Sequence, residues 1–137
     1  MRSTPGVYVL VMHLPSATSV KAGKLGTIHL EPGYYLYCGS AQGGLGPRLA
    51  RHMRPDKVPH WHVDALTTVA EPVGALLFSG QKKEECRLGR CLSECPGVSM
   101  VQKGFGSSDC SCRSHLFHVP EEVPLVIVLD ILRAAFL

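Results

Sequence analysis

The sequence predicts an α+β fold: a central three-stranded antiparallel sheet flanked by helices, with an extra strand region near the C-terminus. Three observations carry this. The β-rich apolar runs Val7–Leu14 and Tyr34–Cys38 flank an alternating segment, Leu25–Leu30, and their connections are too short for helical crossovers. Later segments carry the apolar spacing of helices. Short apolar runs then return, so strands and helices mix without a regular βαβ alternation.

Val7–Leu14 ends at Pro15 and the small polar residues Ser16 to Ser19. Leu25-Gly26-Thr27-Ile28-His29-Leu30 ends at the turn Glu31-Pro32-Gly33, and Tyr34–Cys38 runs back. This meander puts Tyr8 and Tyr37 on neighbouring strands and on one face. Leu45–Arg54 reads as a helix with Pro47 in its first turn, where a missing N–H costs nothing. Arg48 and His52 are four apart and share a helix face. A second helix begins within His60–Leu66, after Pro59. Val73–Phe78 is unbroken and apolar, the pattern of a buried strand. Gln81–Ser93 reads as a third helix with Cys86, Leu88 and Leu92 inward and Lys82, Lys83, Arg87 and Arg90 outward, ended by Pro96 and Gly97. A glycine- and serine-rich loop, Lys103–Ser114, precedes strands at Leu116–Val119 and Leu125–Leu129.

The chain has 137 residues, 45% hydrophobic and 18% charged, which suits one compact domain over residues 1–137 with an ordinary core. A net charge of +3 favours a polyanionic partner only mildly. The longest apolar stretch, Val123–Leu137, contains Asp130 and Arg133 and is too short to span a bilayer. No charged-then-apolar leader opens the chain, so the expected address is the cytoplasm. The six cysteines are then expected as thiols or metal ligands, not as a disulfide frame.

Gly6-Val7-Tyr8 and Tyr37-Cys38-Gly39 each sit at the end of strand-like sequence. Tyrosines suit half-buried strands on packing grounds alone. Gly39, followed by Gly43, Gly44 and Gly46, also marks an edge where backbone can approach a ligand closely. Arg48 can hold two phosphate oxygens at once, with His52 beside it. The bland alternative is a solvated basic helix face shared with Arg51 and Arg54. Glu84 and Glu85 open the third helix, where the helix dipole favours acids. Glu85 borders the buried stripe, and one carboxylate suffices for magnesium, which keeps most of its waters. Cys110, Cys112 and His115 could form part of a zinc site, to which Cys86, Cys91 and Cys95 could add, and Asp109 is a second metal or water ligand or else a turn cap. The single residue between Cys110 and Cys112 is shorter than structural zinc spacing. In His60-x-His62-x-Asp64 the two histidines diverge if the segment is helical.

In order along the chain, these pieces resemble the GIY-YIG nuclease superfamily. Closer still is its branch catalogued as domain of unknown function 123, also called Uri-type endonuclease. The matching residues are Gly6-Val7-Tyr8, Pro32 through Ala41, Arg48-Leu49-x-Arg51-His52, His60-Trp61-His62-Val63-Asp64, Glu85-Cys86-x-Leu88 and Gly104 through Phe117. The resemblance implies phosphodiester cleavage in DNA, RNA not being excluded, with one divalent ion, Mg²⁺ or Mn²⁺. It implies Tyr8 as general base or proton relay, Tyr37 as its positioning partner and Arg48 as stabiliser of the developing charge. It further implies Glu85 as metal ligand and His52 on phosphate or in proton transfer. Substrate contacts are expected from Gly39, Ser40, Arg51, His60, His62, Ser107 and Ser108. Relatives of the branch are sometimes joined to base-excision repair enzymes, which implies a repair setting and such an enzyme as partner.

Two departures stand out. Cys38 replaces an aliphatic residue in the second tyrosine motif. The chain also contains no asparagine, whereas many superfamily nucleases carry one after the glutamate helix. Ser107, Ser108 or Asp109 is the expected substitute there. Two other readings stay open: a non-catalytic nucleic-acid-binding module, and an interaction domain stabilised by zinc. Since tyrosine ionises near ~10, the metal and Arg48 are expected to lower the Tyr8 pKa.

Overall fold

The computed structural model describes residues 5–42, 44–53, 62–81, 83–102, 105 and 114–135. Strands β1 (Gly6–Leu14), β2 (Thr18–Lys21), β3 (Thr27–Leu30) and β4 (Gly33–Ala41) come first. Helices α1 (Leu45–Met53) and α2 (His62–Thr67), strand β5 (Glu71–Ser79) and helix α3 (Glu84–Ser93) follow. Strands β6 (Ser99–Met100) and β7 (Leu116–Val119) and helix α4 (Leu125–Ala135) complete the described elements.

The class is the expected one, mixed α and β, but the sheet is larger. Five antiparallel strands run in the order β5-β1-β4-β7-β6. β1 pairs with β4 over the whole of both strands, Gly6 opposite Ala41 and Leu14 opposite Gly33. The expected meander is therefore corrected: β3 does not lie in this sheet. It pairs with β2 in a separate two-stranded hairpin. The reason is burial. On β3 only Ile28 and Leu30 are covered, one face of the strand, whereas β1 is covered on both. With its one apolar face β3 closes over the core as a lid, Ile28 and Leu30 packing inward.

Alternation along β1 feeds two cores. Tyr8, Leu10, Met12 and Leu14 join Tyr35 and Tyr37 of β4 under α1, α2 and the hairpin. Val7, Val9 and Val11 join Leu36 and Cys38 under α3 and α4, where Leu88, Leu92, Val128 and Leu132 pack. Each fully buried aliphatic side chain is worth roughly 1.5–3 kcal/mol.

Two further expectations are corrected. β5 is an edge strand, with Val73 54% and Leu77 52% exposed, and is not the buried strand its apolar run suggests. Residues 125–129 are not a strand but the first half of α4. Val128 and Leu132, four apart, are its buried residues, so the 3.6-residue period prevails over the strand propensity of Val126-Ile127-Val128. Among the described residues, no helix is long and apolar enough to cross a membrane.

Candidate functional site

β1 and β4 bring the two tyrosine motifs side by side. Tyr8 lies opposite Gly39, and Tyr37 opposite Leu10, so both phenols rise from the same face with ring centroids 6.4 Å apart. A side chain at Gly39 would run into the Tyr8 ring and hydroxyl. The glycine after the second motif is therefore the space the first motif's phenol occupies. Its backbone need not take a left-handed conformation, which Gly33 (φ 136) and Gly97 (φ 82) do.

Helix α1 crosses this face and delivers two groups from one side, as the four-residue spacing predicts. His52 Nε2 lies 2.7 Å from the Tyr8 hydroxyl, and each of these residues is only 1% exposed. The His52 ring also lies 6.2 Å from that of Tyr37. Arg48 donates to the carbonyl oxygen of Ser40 at 2.8 Å, which braces it against the end of β4, and also hydrogen-bonds Tyr8. The protonated Tyr8 hydroxyl can donate to His52 Nε2 when the imidazole carries its proton on Nδ1. Phe105 packs edge-on against Tyr37, centroids 6.3 Å apart.

Arg48 does pull the Tyr8 pKa down, but burial outweighs it. The Tyr8 pKa is pushed up to about 12, with the negative charges of Glu85 and Asp64 adding to the rise. Burial likewise holds the Tyr37 phenol well above its ordinary value, reinforced by Tyr8 and Glu85. Arg48 by itself therefore does not bring the Tyr8 pKa below its ordinary value.

Glu85 occupies the first turn of α3 and is buried, near enough for its charge to act on both phenols, while Glu84 beside it is partly exposed and pairs with Arg87 at 3.1 Å. Glu85 Oε1 lies 2.6 Å from His115 Nδ1 at the entry to β7. The other ring nitrogen of His115 faces Cys86 Sγ at 4.0 Å. Cys86 is half-buried at this contact and is not among the core residues it was expected to join.

Arg51 stands outside the tyrosine cluster. Its guanidinium grips Asp64 of α2 with two bonds of 2.8 and 2.9 Å, and Asp64 is 1% exposed. This pair clamps α1 to α2. Ser40 accepts a bond from Gln42 at 3.0 Å on its hydroxyl. His62 is the first residue of α2. His60, Ser107, Ser108, Asp109, Cys110 and Cys112 lie outside the described residues. Among the described residues, no group of three or more His, Cys, Asp or Glu side chains is placed to hold a metal ion.

Spacing missed two relationships, His115 on Glu85 and Asp64 on Arg51. Thirty and thirteen residues separate these partners in sequence, and only the strand and helix packing joins them. A faint signal existed for Asp64, an acid beside the basic helix with an apolar residue on either side.

The family model described as Domain of unknown function DUF123 matches residues 7–135. No curated protein and no solved structure matches the chain.

Proposed function

The chain belongs to the family described as Domain of unknown function DUF123, and from that premise and the tyrosine cluster we propose that it is a divalent-metal-dependent endonuclease of the GIY-YIG type. It hydrolyses phosphodiester bonds in DNA, in a repair or structure-specific setting. The observation that carries this reading is the 2.7 Å contact between the Tyr8 hydroxyl and His52 Nε2, with Arg48 bonded to the same phenol.

A phenol with a pKa of about 12 is a poor base by itself but a good relay. As the attacking water forms its bond to phosphorus, its proton passes to the Tyr8 oxygen, and the Tyr8 proton passes to His52 Nε2. The bond from phosphorus to the leaving oxygen breaks, and that oxygen takes a proton from solvent. Arg48 keeps a permanent charge beside the Tyr8 phenol, so it can stabilise the phosphoryl oxygens. Tyr37 lines the same face and restricts where the water and phosphate sit.

Glu85 fits a hard divalent cation. It is a buried carboxylate with one oxygen engaged by an imidazole, and magnesium needs only one or two protein carboxylates beside its waters and substrate phosphate. Mg²⁺ or Mn²⁺ bound there supplies charge stabilisation to the phosphoryl group.

The absence of asparagine favours one second reading, a module that binds nucleic acid by the same face without cutting it. Labelled single-stranded, duplex, flap and branched DNAs, incubated with Mg²⁺ or Mn²⁺, separate the two. The nuclease reading expects metal-dependent cutting that Glu85→Gln abolishes. Salt-sensitive binding with no cutting of any substrate would replace it with the second.

A further inference from the structure

We infer that His115 is a positioning residue that aims the Glu85 carboxylate at the divalent ion, an assignment that rests on the nuclease reading. The His115 ring is held firmly. It is 0% exposed, and the main chain is bonded on both sides: its N–H donates to Phe105 O at 2.8 Å, and its carbonyl accepts from the Cys38 N–H at 2.9 Å. Ser114 secures the same turn by accepting the Leu116 N–H on its hydroxyl at 3.1 Å.

From this anchor Nδ1 lies 2.6 Å from Glu85 Oε1, a close ion-pair contact. Nδ1 faces the carboxylate in this arrangement, and Nε2 is turned to Cys86 Sγ. A glutamate has three rotatable bonds, so a carboxylate on the first turn of a helix can sweep widely. Fixing one oxygen against an immobile ring orients the carboxylate and leaves its other lone pairs for a cation. Outer-shell contacts to a metal ligand typically sustain roughly 10–100-fold in metal affinity. His115, expected as one ligand of a possible zinc site, here faces the carboxylate. A pair that is merely structural would cost stability when broken but leave metal affinity intact in any variant that still folds.

The test is direct Mn²⁺ binding, read from the electron paramagnetic resonance signal of the free ion with a flap-structured DNA oligonucleotide present. The full chain is compared with Glu85→Gln, His115→Gln and His115→Asn, each checked for native circular dichroism. Asparagine places an N–H near the Nδ1 position and glutamine near Nε2. His115→Gln should bind Mn²⁺ roughly 10–100-fold more weakly, with His115→Asn restoring most of the loss. A second measurement needs no variant: Mg²⁺ added to the wild type with this DNA should shift the His115 Nδ1 nitrogen resonance. Folded His115 variants that bind Mn²⁺ like wild type while Glu85→Gln does not would overturn the role of His115 alone. So would a Nδ1 resonance that ignores Mg²⁺. A wild type that binds no Mn²⁺ would overturn the nuclease reading with it.

Discussion

Gly39 lies directly across the strand pair from Tyr8, and the Tyr8 phenol fills the volume that any side chain at position 39 would need. The second motif's glycine and the first motif's tyrosine are one steric unit. Gly39→Ala should displace the ring and destabilise the protein by about 1–3 kcal/mol, as overpacking of a tight core does. Urea denaturation measures the loss. An unchanged midpoint would show that the ring can move aside freely.

The raised phenols set an alkaline limit on stability. Below pH 10 both folded and unfolded chains hold the Tyr8 proton; between 10.0 and about 12 only the folded state does. Stability is therefore full below that window and falls as pH rises through it. Absorbance titration near 295 nm should show a late-ionising tyrosine that Tyr8→Phe removes.

Arg51 should matter for stability. Arg51→Ala leaves Asp64, 1% exposed, without the guanidinium that grips it, and should cost about 2–3 kcal/mol. The double variant Arg51→Ala/Asp64→Ala should recover part of that loss in a denaturant titration. A single variant as stable as wild type would show that the Arg51–Asp64 pair does not hold α1 to α2.

Edge and centre of the sheet should respond oppositely. Leu77→Lys on β5 should change stability by no more than about 0.5 kcal/mol, since Leu77 is 52% exposed. Leu10→Ala on β1, fully buried, should cost roughly 2–5 kcal/mol. Thermal melts of the two variants compare them directly.

The sequence made the local pieces legible and left the partners hidden. Tyr8 and Tyr37 on one face, Arg48 with His52 on one helix side, and Glu85 inward of Glu84 all follow from the periods of strand and helix. Those periods describe a segment's own faces and say nothing about what covers them. Hence β3 went to the wrong sheet, the β5 edge looked like a centre, and Val126-Ile127-Val128 passed for a strand. The same limit explains Tyr8. Its neighbours suggest a lowered pKa, while the depth of its burial, set by helices and hairpin far along the chain, raises it.

The relay of protons from water through Tyr8 to His52 is the central claim, and single-turnover cleavage of the labelled DNA panel by wild type, Tyr8→Phe and His52→Ala tests it most directly. Wild type should cut at least one substrate with Mg²⁺ or Mn²⁺, and each variant should lose about 10²-fold or more in rate while binding DNA as before. Equal rates for wild type and Tyr8→Phe, or DNA bound but never cut by the wild type, would contradict it.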